Sequence, residues 1–386
     1  MKYIKHKSKV KSHSKYKTQN KKQNQIKYCC LDKTKKKCVS IETTLHLPKK
    51  TKHNTRSTHK TNKTPNYAIT TLLFGGDSYL PGVLLLGSSI IKVIPKEYKK
   101  YITLCCMVTN DVSPEAKQLI STIYDSIIEI NYLEIPSNLI KHKIQGIRDI
   151  YSRTFTKLRI FEMTEYDKVL FMDADMLVLK QDIVSLFNLR TPAVVFMGKL
   201  SNNVKDRYFK EFKENGKLFK QFQNNYCHFQ NKELHGNPIP YTNYENEKIS
   251  NGMNIETSLL VIQPSNSMMN VILKEIQNIK EKNIKISGDT ELISRLFKDK
   301  LYSIEPRFFG RWVNPEEHPE LVLLDLYGNS KPWDTTQFKE LIKYSSVGDV
   351  VYWWNTYKFF YERNYKHWNN KMLDNLYKSI LNLKEL

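Results

Sequence analysis

The chain has 386 residues, enough for one large domain or two ordinary ones, and its 40% hydrophobic and 12% aromatic content supports a packed core. Its formal charge of +22 is unevenly placed. Residues 1–65 carry 20 lysines and arginines against Asp32 and Glu42, while the remainder holds 41 basic and 37 acidic residues, so a nucleic-acid-binding reading rests on the tail alone.

That tail, MKYIKHKSKVKSHSKYKTQNKKQNQIKY onward, has too few apolar residues to offset its ordering entropy and is predicted to be disordered. It reads as a solvated tail, or as a localisation signal or tether for a polyanion: RNA, DNA, an acidic membrane face or a particle surface. Of six cysteines, Cys29–Cys30 and Cys105–Cys106 are adjacent pairs and Cys38 and Cys227 stand alone. Neither metal spacing nor a disulfide framework results, which predicts a reducing, cytoplasmic compartment. The basic opening lacks the apolar core of a signal peptide. The most apolar stretch, LLFGGDSYLPGVLLLGSSIIKVI, is broken by Gly75-Gly76-Asp77 and Pro81 and is not expected to span a membrane. The lysine, asparagine and isoleucine excess points to an AT-rich genome, such as a parasite or a large DNA virus, so a viral or virion-associated setting stands beside the cytoplasmic one.

From Asn66, YAITTLLF predicts a strand ending at Gly75-Gly76, followed by a helix over LPGVLLLGSSIIKVI. KKYITLCCMVTN predicts a parallel strand buried on both faces. SPEAKQLISTIYDSI predicts a helix with Ser113 as N-cap and Pro114 in its first turn. IIEINYLEI is a third strand candidate, TFTKLRIFEMTEY a helix, and DKVLFMDADMLVL a fourth strand. Alternating units of this kind predict a doubly wound α/β sheet. Residues 198–250 lack a clear period and read as an insertion or lid. TSLLVIQPS is a further strand, SNSMMNVILKEIQNIKEK and GDTELISRLFKD are helices, and the aromatics of 346–386 are expected to pack on the body as a helical segment.

Within DKVLFMDADMLVL, two aspartates surface from an apolar strand. Asp-x-Asp in extended backbone points both carboxylates to one side, and a strand's carboxyl end is where open sheets bind ligands. The pair reads either as solvated turn residues or as hard oxygen donors for Mg²⁺ or Mn²⁺ bridging to a diphosphate.

These segments, in this order over about 280 residues, resemble the glycogenin-type members of glycosyltransferase family 8, which have the GT-A fold. YAITTLLFGGDSYLPGVLLLGSSI resembles the nucleotide-binding opening, TFTKLRIFEMTEYDKVLFMDADMLVL the helix, strand and DxD segment, and LLVIQPS the strand after the acceptor-side loop. SGDTELI stands at the Gly-Asp-Gln helix start and LYGNSKPWD at the Gly-x-x-Lys-Pro-Trp loop. The resemblance implies an α/β, GT-A (Rossmann-like) domain over 66–345 with a mostly parallel central sheet flanked by helices.

It also implies roles. Asp173 and Asp175, with Ala174 between them, would bind the divalent metal that holds a UDP-sugar. Asp325, at the family's usual histidine, would be a third ligand, or else a surface acid with water in its place. Lys331 would reach the diphosphate with the Gly328 backbone beside it. Lys157 and Arg148 would contact donor phosphate and sugar, with Arg153 an alternative to Arg148. Tyr79 would stack on uracil, with Leu73 and Gly75 lining the base pocket. Asp289 would lie near the reacting sugar face, where Thr290 replaces the family's glutamine. Glu256-Thr257-Ser258 replaces Asn-Ser-Gly or Asn-Ala-Gly, unless Ser250-Asn251-Gly252 restores it. The implied activity is retaining, metal-dependent hexose transfer, glucose foremost, with catalytic parts for Asp289, Lys331 and Lys157 and Mn²⁺ or Mg²⁺ as cofactor. Phe308, Phe309 and Trp312 occupy the acceptor-tyrosine neighbourhood, so a protein, glycan or lipid acceptor is favoured over self-glucosylation. A transfer-deficient UDP-sugar-binding protein is the other reading, and a homodimer is a candidate assembly.

Overall fold

The computed structural model describes residues 64–196, 235–239, 255–311, 313–326, 331–335, 348–364 and 366–383. The basic tail up to residue 63, nearly all of 198–250, the Ser250-Asn251-Gly252 stretch, Trp312 and Gly328 lie outside the described residues.

Seven strands form the central sheet: β1 (Tyr67–Leu73), β2 (Ile102–Val108), β3 (Ser126–Glu129), β4 (Lys168–Met172), β6 (Ala193–Phe196), β7 (Ile255–Ile262) and β8 (Tyr302–Ile304), in the order β3-β2-β1-β4-β7-β6-β8. All run parallel except β7, which is antiparallel to β4 and β6. A second sheet joins β5 (Met176–Val178), β10 (Leu323–Asp325) and β9 (Gly310–Arg311) in that order.

Near-continuous apolar strands follow from burial on both faces. In β1, Ile69 and Leu73 join one core while Ala68 and Leu72 join the other; in β4 the split is Leu170 and Met172 against Val169 and Phe171. The first core is closed by α1 (Leu80–Val93), α2 (Pro114–Ser121) and two C-terminal helices, α6 (Gly348–Asn364) and α7 (Lys371–Leu383). The second is closed by a 3-10 helix at Thr154–Glu162 with α4 (Asn266–Glu281) and α5 (Asp289–Leu296), while α3 (Gln145–Tyr151) has no fully buried residue. Ser113 caps α2 by accepting from Ala116 N, as its sequence position predicts. Cys105 and Cys106 face opposite cores, and burial pushes the Cys105 thiol up to about 11.

One expectation is corrected. TFTKLRIFE is helical as expected, coiled as a 3-10 helix, whereas DKVLFMDADMLVL is not one strand. The chain leaves the main sheet at Met172, turns over Asp173–Asp175 with Met176 N donating to Asp173 O (3.2 Å), and enters the second sheet as β5. The apolar run hides this break because both halves are core.

The C-terminal aromatics are packing residues. Trp353 stacks on Tyr357 (5.2 Å) and Tyr361 on Tyr377 (4.5 Å), while Trp354 Nε1 donates to Pro332 O (2.7 Å) and so braces the Lys331-Pro332-Trp333 segment. At the head of α6, burial pushes the Asp349 carboxyl up to about 7 although Val350 N donates to it (2.8 Å). A raised carboxyl contributes stability that is complete below its ordinary value and is lost as pH rises through about 7. Asp349→Asn is therefore expected to match the wild type in urea melts near pH 4. At pH 8 it is expected to be more stable by up to about 4 kcal/mol, from roughly 1.36 kcal/mol per pKa unit. A difference of the same size at both pH values contradicts this.

Candidate active site

The strand order reverses between β1 and β4, and ligands of open α/β sheets settle beyond the strand ends at such a switch point. Three features converge there: the Gly75–Gly76 turn after β1, the Asp173–Asp175 turn after β4 and the Lys331–Trp333 segment. Gly75 and Gly76 take φ of +73° and +80°, a conformation L side chains rarely adopt.

The carboxylate turn is held from several sides. Asp173 N donates to Ser258 O on β7 (2.9 Å), and Leu326 N donates to Asp175 O (3.0 Å). A Cβ on Gly82 would lie 2.4 Å from Ala174 O and 2.7 Å from the Trp333 ring, so only glycine lets α1 approach this closely. Gly82→Ala is expected to cost about 1–3 kcal/mol by overpacking and to weaken any ligand binding at the turn. Thermal melts and calorimetry check it; a wild-type melt would contradict the close approach.

Each acid of the pair meets a buried lysine. Lys157 Nζ contacts both oxygens of Asp173 (2.9 and 3.2 Å) and reaches Asp289 Oδ2 (3.3 Å). Lys331 Nζ donates to Asp175 Oδ2 (2.5 Å) and to Leu326 O (3.0 Å). Burial works against both ammonium charges, yet Asp173 and Asp289 raise Lys157, and Asp175 foremost raises Lys331, above an ordinary lysine. Burial pushes Asp173 up to about 7, with Lys157 opposing and Asp175 and Asp289 adding repulsion. Asp289, at the first position of α5, accepts from Thr257 Oγ1 (2.6 Å), and Thr257 and Thr290 hydroxyls share a hydrogen bond (2.7 Å). Two departures from the family pattern thus touch each other beside the carboxylate expected near the sugar.

The remaining expected residues divide. Tyr79, half-buried at the N-cap of α1, packs edge-on against Trp333 (5.0 Å) with Lys331 Nζ 6.0 Å from its ring, so it belongs to the cluster. Leu73 is wholly buried, because strand alternation turns its side chain into the core; it supports the turn from beneath and does not line an open pocket. Arg148 is not brought to the carboxylates. Its Nη1 donates to His142 O (3.1 Å), its Nη2 meets Gln145, and among the described residues its buried Nε has no hydrogen-bond partner. Arg153, the alternative, lies over the Tyr132 ring (5.2 Å), and the Tyr132 hydroxyl accepts from Gly75 N (2.9 Å).

Asp325 is no surface acid: it is 2% exposed, and burial pushes it up to about 6, with Arg311 opposing and Asp175 adding repulsion. Its Oδ2 accepts from Arg311 Nε (2.7 Å). No sequence motif marks Arg311 or Tyr132, whose partners are distant in the chain.

The donor chemistry of Asp173 and Asp175 fits a hard divalent cation, since two crowded carboxylates are what such an ion neutralises. The three-acid set does not fit: among the described residues no group of three or more carboxylate, histidine or cysteine side chains is gathered to hold a metal. Asp325 is committed to Arg311.

Comparison with known proteins agrees with the resemblance read from the sequence. The model of glycosyl transferase family 8 matches residues 69–337, well over half of the chain. The chain belongs to that family. It is 33% identical over 128 residues to the uncharacterized protein R707 of Acanthamoeba polyphaga mimivirus, spanning 33% of this chain and 42% of that one. It is 34% identical over 132 residues to glycogenin-1 of Saccharomyces cerevisiae, spanning 32% of this chain and 21% of that one. Among solved structures, the galactosyltransferase LgtC is similar at 13% identity with a TM-score of 0.46, covering 75% of this chain and 95% of that one. The chain thus spans less than half the length of these two sequence relatives. No helix among the described residues is long and apolar enough to cross a membrane.

Proposed function

We propose that the chain transfers a hexose, glucose foremost, from a UDP-sugar to a hydroxyl of a protein, glycan or lipid, with retention and with a divalent cation. The observation that carries this reading is the turn at the switch point, where two carboxylates each meet a buried lysine. Such an array matches a ligand that brings both signs of charge, a diphosphate with its cation.

Asp173 and Asp175 would hold Mn²⁺ or Mg²⁺, which supplies Lewis-acid neutralisation of the diphosphate when bound. Lys331, freed from Asp175 as that carboxylate turns to the cation, would meet the charge developing on departing UDP. Tyr79 offers a flat, half-buried face for the base at little entropic cost. Lys157 stays between Asp173 and Asp289 as the cationic partner that the two carboxylates share. The Thr257 hydroxyl orients Asp289 toward the sugar side. Phe308 and Phe309, in the neighbourhood where a primer would carry its acceptor tyrosine, are wholly buried and lack a hydroxyl, which favours an external acceptor.

UDP release from a panel of UDP-hexoses, with Mn²⁺ and with EDTA, tests the reading. Metal-dependent release with UDP-glucose is expected, and the intact mass of the chain should gain no hexose. Release unaffected by EDTA would contradict the cation's part. Tight UDP binding without release from any UDP-hexose would favour the transfer-deficient reading.

A further inference from the structure

Glu256 and Asp325, both departures from the family pattern, meet at a residue that no motif marks. Arg311 donates from Nε to Asp325 Oδ2 (2.7 Å) and from Nη1 to Glu256 Oε1 (3.0 Å). Its guanidinium lies over the Phe309 ring (4.7 Å), and its charge is raised in preference by both carboxylates against the cost of burial. The pairing is built into the second sheet. Asp325 is opposite Arg311 in the parallel β9–β10 pair and opposite Met176 in the antiparallel β10–β5 pair. The Asp325 backbone is thereby stitched beside the carboxylate turn, while its side chain is held by an arginine that also grips β7.

Arg311 is 6% exposed and Asp325 2% exposed. Drawing Asp325 toward a cation would strip a buried guanidinium of one partner, which is strongly unfavourable. Lys331 stands on Asp175 in addition.

Resting on the donor-site reading above, we infer that Arg311 holds Asp325 out of the cation site. The divalent cation is then bound by Asp173 and Asp175 together with the nucleotide diphosphate, and by the protein alone only weakly. Two protein carboxylates leave most of the coordination sphere of Mn²⁺ or Mg²⁺ to phosphate and water oxygens. Arg311 is in this sense a positioning residue that makes cation and nucleotide binding mutually dependent.

The free-Mn²⁺ signal in electron paramagnetic resonance, read on the full-length chain with and without UDP, tests this. UDP is expected to tighten Mn²⁺ binding by about 100-fold or more, and Mn²⁺ to tighten UDP by the same factor. Arg311→Met releases Asp325 and is expected to strengthen nucleotide-free Mn²⁺ binding by about tenfold or more. Arg311→Met/Asp325→Leu removes both charges together and is expected to keep UDP-linked Mn²⁺ binding within about threefold of the wild type. This double variant carries the test if Arg311→Met does not fold. Equal Mn²⁺ affinity with and without UDP, or loss of UDP-linked binding in the folded double variant, would overturn the inference alone. Absence of measurable Mn²⁺ binding both with and without UDP in the wild type would overturn the donor-site reading and the inference with it.

Discussion

Asp175→Asn is expected to lower metal-dependent sugar transfer by about 1,000-fold or more while the protein stays folded. Removing one of the two carboxylates of the turn would take away both a ligand of the cation and half of the charge neutralisation that the turn offers it. The fold should tolerate the change. The turn is held by backbone bonds from Asp173 N to Ser258 O and from Leu326 N to Asp175 O, which an asparagine keeps. Lys331 retains the Leu326 carbonyl. Asp173→Asn should behave alike, with Asp289 still paired to Lys157. Because burial pushes the Asp173 carboxyl up to about 7, cation binding in the wild type should weaken as pH falls through that value, when a proton replaces the metal. Transfer rates with circular dichroism as a folding control check this. A wild-type rate in either variant contradicts the assignment.

Lys331→Met is expected to lower kcat by about 100- to 1,000-fold with a smaller effect on KM, because its charge counts most as UDP departs. It should also cost stability, about 2–4 kcal/mol, by leaving Asp175 partly buried and unpaired in the absence of nucleotide. Lys331→Arg is not expected to rescue: the forked guanidinium does not fit a pocket shaped around a point charge between Asp175 and Leu326 O. The loss in kcat should be nearly independent of pH up to about 9, since a lysine ammonium facing a diphosphate stays protonated over that range. A rise in KM alone, with kcat intact, would make Lys331 a binding residue and nothing more.

Much of the framework was legible because it depends on local pattern. The β-branched run of β1, the Ser113 cap and Pro114, and the glycines after β1 each declare themselves within a few residues. The aromatic spacing of α6 likewise announced a packing face. What escaped depends on partners far apart in the chain. The break at Asp173 is invisible in an unbroken apolar run, because residues on both sides are buried in different sheets. The antiparallel sense of β7 escapes because its composition is that of a parallel strand buried on both faces. The lysine pairing of the acids joins residues 16 and 156 positions apart. Arg311 reaches Asp325 14 residues away and Glu256 55 residues away, so its place in the site could be seen only in three dimensions. Asp325 illustrates both sides: its loop drew attention to it, while its burial and its commitment to Arg311 reversed what its chemistry alone implied.

The claim on which the rest depends is that the Asp173–Asp175 turn and Lys331 form a cation-dependent site for a nucleoside diphosphate. Calorimetric titration of UDP into the full-length chain, with Mn²⁺ and then with EDTA, measures it directly. Saturable binding with Mn²⁺ that weakens by about 100-fold in EDTA is the expected result. An unchanged affinity in EDTA would contradict it.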